Sequence, residues 1–223
     1  MKYMMTPNPI QRLLQRRAIA TLALTAALIL SLAPSRIMAP AFADDDPMTV
    51  VKTTVNQALD VLRDKNTPLA QRQDKLRQIV SATFDFTEMA KSAMGQHWNK
   101  ITPAQQQEFT TAFVAFIEDS YLSKISDYTG QQVNFLRASN DGAQYAQVST
   151  DIVQPTGDPI HVNYRLLQNG GTWKIYDVTV DAISIIANYR NQFNRVMNNQ
   201  GYDVLISDLK KKQAALAASL ANH

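Results

Sequence analysis

The side chains that could do chemistry in this chain are few. Its histidines are His97, His161 and His223, no two of them at the spacing of a metal-ligand pair, and it has no cysteine. Disulfides and thiolate metal sites are therefore excluded. Ser184, His161 and Asp177 have the residue types of a nucleophilic triad, but no G-x-S-x-G elbow surrounds the serine. A serine that opens a helical pattern is expected to cap it. His161 falls on one strand face with Asn163 and Arg165, opposite the face of Ile160, and is expected at the surface. The carboxylates are scattered, without a pair suited to acid and base roles, and no glycine-rich phosphate loop occurs. The expectation is a protein that is not an enzyme, with no catalytic residues, no metal and no cofactor.

What the chain has in excess is apolar and aromatic surface on regular elements. Val51, Val55, Leu59 and Leu62 recur at helical spacing between Met48 and Lys65. Pro68 suits the first turn of a second helix marked by Leu69, Leu76, Ile79 and Val80. Phe84 and Phe86 lead into a short helix through Met89 and Met94, which Gly95 should stop. Thr102, Pro103 and Gln105 have capping-box spacing. From there Phe109, Phe113, Phe116, Ile117, Tyr121, Ile125 and Tyr128 predict about 25 residues of helix with an aromatic face, ended by Gly130.

After Gly130 the period becomes two. Val133 and Phe135, then Ala146 to Ile152, Ile160 to Leu166 and Trp173 to Val180 predict strands. Asn140-Asp141-Gly142, the Pro155 to Pro159 cluster and Asn169-Gly170-Gly171 supply the turns. Helical spacing returns at Ile185, Ile186, Tyr189, Phe193, Val196 and Met197. Asp203 could cap a last helix, and the lysines 210 to 212 with the alanine-rich end suggest a fraying terminus. The expected class is α+β: a four-stranded antiparallel sheet packed on one face by helices. Periodicity alone does not distinguish a filled core from an apolar cavity.

Residues 1–43 have the form of a secretory signal peptide. Arg12, Arg16 and Arg17 precede the apolar run Ala18 to Ala33, and Ala41-Phe42-Ala43 offers a cleavage pattern. Five of the 22 Lys and Arg residues, and none of the 19 Asp and Glu, lie before Asp44. Residues 44–223, expected as one domain, thus hold 17 basic and 19 acidic residues, net −2, which gives no support to nucleic-acid binding.

Several ordered motifs carry a resemblance. Phe84-Asp85-Phe86-Thr87-Glu88-Met89-Ala90, Met94-Gly95-Gln96-His97-Trp98 and Thr102-Pro103-Ala104-Gln105-Gln106 come first. Trp173 to Val178, Ile183-Ser184-Ile185, Asn188-Tyr189-Arg190 and Gly201-Tyr202-Asp203 follow. Together they resemble the MlaC, or toluene-tolerance, family across nearly all of the chain after the leader. Ala182 and Val204 stand where that family usually has glycine.

The resemblance implies a monomeric periplasmic carrier with a diacyl phospholipid as cargo, held in an apolar cavity between sheet and helices. It implies exchange with an outer-membrane lipoprotein complex and with an inner-membrane ABC transporter carrying an MCE-domain subunit. A hopanoid-associated carrier, an interaction module with a filled core and a small-pocket enzyme are the alternatives. On the phase of the elements, Phe113, Ile117, Tyr121, Val148, Ile152, Val162, Tyr164, Val178, Val180, Ile183, Ile186 and Phe193 would line the cavity. Tyr189 and Arg190 are the candidates for headgroup contact.

Overall fold

The structure is a computed structural model that describes residues 46–122, 128 and 130–221. The expected leader, 1–43, lies outside the described residues.

Helix α1, Pro47–Arg63, starts where Asp46 accepts hydrogen bonds from the Met48 and Thr49 backbone N–H groups. Its buried stripe contains Val51, Val55, Leu59 and Leu62, as the spacing predicts. Helix α2 runs Leu69–Thr83. Pro68 is its N-cap rather than its first helical residue, so no side chain caps this end. Helix α3, Phe86–Met94, is capped by Asp85 and stops at Gly95. The φ of +53° there suits glycine, and a Cβ would stand 3.2 Å from the Arg190 side chain. A 3-10 turn, Gly95–Lys100, leads on.

Helix α4, Pro103–Leu122, opens with the expected capping box. The Thr102 N–H donates to Gln105 Oε1 at 2.9 Å, and the Gln105 N–H donates to Thr102 Oγ1 at 3.2 Å. Its described residues number 20 of the about 25 expected. Ile125 lies outside the described residues, and Tyr128 is buried but not helical.

The sheet has five strands, not four, in the order β1 to β5 with every neighbour antiparallel: Val133–Asp141, Tyr145–Ile152, Ile160–Asn169, Thr172–Val180 and Ile183–Ser184. Strand β5 is too short to show an alternation. It turns back from β4 through Asp181 and Ala182, both at positive φ (45° and 67°). That is the left-handed geometry of a tight hairpin without its usual glycine. Ala182 therefore occupies a position where glycine would be unstrained. Val204 lies within a helix and has no such demand.

The register makes rows across the inner sheet face. Val148 pairs with Tyr164 and Tyr164 with Val178; Thr150 pairs with Val162 and Val162 with Val180. All six are buried. A shift between Arg165 and Leu166 leaves Tyr176 as an extra residue on β4, so Asp177 and Val178 are both buried and simple alternation fails there.

Helix α5, Ile185–Asn199, is capped by Ser184, whose Oγ accepts from the Ala187 N–H at 2.9 Å. Helix α6, Tyr202–Ala221, begins before Asp203, which sits in its first turn rather than capping it. The helix continues through the three lysines and the alanine-rich segment where fraying was expected. Alanine's high helix propensity and the Lys210 Nζ to Glu108 Oε1 contact at 2.5 Å, which ties α6 to α4, explain the continuation. The helices lie against one sheet face, and both layers contribute to one hydrophobic core.

Candidate functional site

The aromatic face of α4 meets that of α5 in the centre of the core. Phe109, Phe113 and Phe116 pack on Tyr189 and Phe193 with ring centroids 5.5–5.7 Å apart, mostly edge to face. The sheet supplies Val148, Ile152, Val162, Tyr164, Val178 and Val180 beneath them. With Ile117, Tyr121 and Ile186, these expected wall residues are all buried in one apolar cluster. Ile183, on β5, is half-buried. Arg190 is exposed, and its Nε donates to the Ser92 carbonyl at 2.6 Å, tying α5 to α3.

The expected wall residues belong to one buried core cluster, with Ile183 packed at its edge. Beside it lies an apolar void of about 20 Å³ between α2, α3 and α4. That is room for about one water and not for an acyl chain. Ile117 and Tyr121 reach this void. Leu76, Val80, Phe84, Phe86, Met89 and Leu122, which the phase argument missed, form the rest of its apolar lining. Their signal was present: Leu76 and Val80 are four apart on α2, and Phe84 and Phe86 flank the α3 cap.

Polar groups at the edge of the void behave unusually. Glu118 stands at its rim with Arg77, Nε to Oε2 3.8 Å. Arg77 is drawn more strongly to Asp119, Nη2 to Oδ1 2.6 Å, which also accepts from Gln213 Nε2 at 2.8 Å. Burial therefore dominates at Glu118 and pushes its carboxyl up to about 7. The Tyr121 hydroxyl is wholly buried with no hydrogen-bond partner among the described residues. Burial also holds its proton far more tightly than in an ordinary tyrosine.

The triad types do not converge. Ser184 Oγ donates to Asp177 Oδ2 at 2.6 Å, and the Ile186 N–H donates to Asp177 Oδ1 at 3.2 Å, so both side chains secure the start of α5. Burial raises the Asp177 carboxyl. His161 is exposed, and its Nδ1 lies 2.5 Å from Asp151 Oδ1 on the outer sheet face. No group of three or more metal-ligating side chains is assembled among the described residues. Two larger hollows are lined by mixed side chains. One of about 560 Å³ runs between α1, α2 and the β3–β4 hairpin, past Asp60, Lys75 and Trp173. The other, of about 510 Å³, lies between α2 and the end of α6.

The family described as MlaC protein matches residues 52–211. The toluene tolerance protein ttg2D of Pseudomonas putida is 29% identical over 164 residues, covering 71% of this chain and 76% of that protein. The intermembrane phospholipid transport system binding protein MlaC of Haemophilus influenzae is 21% identical over 179 residues, covering 77% and 84%. Among solved structures, a phospholipid-binding protein from Ralstonia solanacearum in complex with a phospholipid superposes with a TM-score of 0.70 at 25% identity. The match covers 78% of this chain and 99% of that one.

Proposed function

This chain belongs to the MlaC family, and from that premise we propose that it is a periplasmic carrier that binds a phospholipid by its acyl chains. The likeness to a phospholipid-bound protein over almost its whole length is the observation that carries this reading. Residues 1–43 direct export, and 44–223 form the lipid-binding domain. The carrier exchanges its cargo with an outer-membrane lipoprotein complex and with an inner-membrane ABC transporter that has an MCE-domain subunit.

The physical chemistry supports the reading. Burying a methylene gains about 0.8 kcal/mol, so two acyl chains of about 30 methylenes cost on the order of 24 kcal/mol to leave in water. A carrier must match the burial offered by a membrane and need not exceed it. An apolar interior that makes few polar demands does this and can release the chains again, which requires no catalytic group. The sheet side of Val148, Ile152, Val162, Tyr164, Val178, Val180 and Ile183 and the helix face of Phe113, Ile117, Tyr121, Ile186, Tyr189 and Phe193 are the two walls. Acyl chains enter as these walls part, and the empty core closes by packing the same side chains against one another. The apolar void between α2, α3 and α4 adjoins these walls through Ile117 and Tyr121.

Transfer of a labelled phospholipid out of vesicles by the purified protein tests this. Ile183→Asp puts a charge at the wall from a half-buried strand position, where the fold tolerates it. The variant should stay folded by circular dichroism and lose transfer. A folded variant that transfers lipid at the wild-type rate would remove the assigned wall.

A further inference from the structure

One end of the core departs from its apolar character. Arg72 lies four and seven residues before Leu76 and Ile79, so it starts on the face of α2 that is buried, not on the solvent side. Its Nε and Nη1 are fully buried, and neither has a hydrogen-bond partner among the described residues. Lys65, in the loop after α1, places its ammonium 5.3 Å from the centre of the buried Tyr128 ring. Burial first, and the charge of Arg72 second, hold that ammonium below its ordinary value, so the two cations act on each other. Asp64, the adjacent carboxylate, is turned away to the Asn66 and Thr67 N–H groups and the Thr67 hydroxyl.

The same end reaches the sheet. The Tyr128 hydroxyl donates to the Gln131 carbonyl at 3.4 Å, and the Val153 N–H donates to the Gln132 carbonyl at 2.9 Å. Gln154 follows directly, and its Nε2 is a further buried donor without a partner among the described residues. Arg72 thus has two buried nitrogens and Gln154 one that no described residue satisfies. A buried guanidinium with unsatisfied donors is costly and rare in folded proteins.

We propose that this end of the core, marked by Arg72, Lys65 and Gln154, binds a phosphate oxyanion. A guanidinium is a planar cation whose N–H groups suit phosphate oxygens, and two of its nitrogens, Nε and Nη1, are unpaired among the described residues. Lys65 adds a point charge at the rim, and the Gln154 amide adds a neutral donor. Assigning the oxyanion to a lipid headgroup rests on the carrier reading, which places acyl chains in the same core. Arg190, the other cation considered for a headgroup, already donates its Nε to Ser92. Free inorganic phosphate offers the same chemistry without the chains.

The test titrates lipid-free protein and its Arg72→Gln variant with dihexanoyl phosphatidylglycerol, with dihexanoylglycerol and with inorganic phosphate. A headgroup site predicts that the variant loses about ten-fold or more in affinity for the phosphatidylglycerol, with dihexanoylglycerol unaffected. A free-phosphate site predicts that inorganic phosphate raises the Tm of the wild type and not of the variant, with both lipids binding the two proteins equally. If the variant binds all three ligands as the wild type does, or loses both lipids equally, the site is overturned. If neither lipid binds the wild type, the carrier reading fails and the phosphate titration alone decides the site. Removing an unpaired buried charge should leave the Tm of the ligand-free protein unchanged or raise it. A clear fall would mean that Arg72 has a structural partner and would also overturn the proposal.

Discussion

Replacing Glu118 with glutamine should remove a pH-dependent loss of stability. In the unfolded chain this carboxyl ionises near its ordinary 4.5, and in the folded protein near about 7, because burial at the edge of the apolar void outweighs the attraction of Arg77. Below 4.5 the group is protonated in both states and contributes nothing. Between 4.5 and 7 the unfolded chain releases the proton while the folded protein retains it. Stability therefore falls as pH rises through this window, and the loss is complete above 7. The displacement corresponds to about 3 kcal/mol at 1.36 kcal/mol per pH unit. Solvent reaches 16% of the side chain, so ~2 kcal/mol is the working figure. Urea denaturation of both proteins at pH 4.5, 6 and 8 measures it. Glu118→Gln should match the wild type within error at pH 4.5 and exceed it by about 2 kcal/mol at pH 8. Parallel stability profiles across this range would refute the reasoning. They would mean that Arg77 compensates the carboxylate fully despite its shorter bond to Asp119.

Three other expectations follow from single side chains. Ala182→Gly relieves a left-handed residue at φ 67°, and should raise stability by about 1 kcal/mol in urea denaturation. Thr102→Ala removes the acceptor of the Gln105 N–H, and should cost about 1 kcal/mol by the same measurement. Phe113→Ala leaves a hole among Phe109, Tyr189 and Phe193. It should cost about 3 to 5 kcal/mol in the lipid-free protein, and less when lipid is present at saturation, since a chain can occupy the space.

Much of the fold was legible because local chemistry and tertiary structure agree. The Thr102 to Gln105 capping box, the Ser184 cap and the Gly95 stop are local bonds and dihedrals, and the sequence pattern names them directly. The strand β4 alternation was obscured by the bulge at Tyr176, which buries Asp177 beside Val178. Strand β5 was hidden because two residues carry no period and its turn lacks glycine. Tyr128 continues the aromatic spacing of α4 but is not itself helical, because spacing alone does not mark where a helix stops.

The interior was less legible. Phase told which residues of α4, α5 and the sheet point inward, and those residues are buried, except Ile183, which is half-buried. It did not tell how tightly they fill the space, since packing depends on the distance between layers and not on the period within one. The apolar residues around the void were missed for a related reason: they come from three helices whose adjacency no single periodicity encodes. Arg72 was missed because a cation on the Leu76 and Ile79 face is ordinarily taken as solvent-exposed, and only its buried, unpartnered nitrogens distinguish it.

Native mass spectrometry of the protein isolated from the periplasm without detergent bears most directly on the carrier assignment. A carrier gives a one-to-one complex whose ligand mass is that of a diacyl phospholipid, lost on organic extraction and regained on incubation with phospholipid vesicles. A protein that is ligand-free as isolated and takes up no phospholipid from vesicles would contradict it.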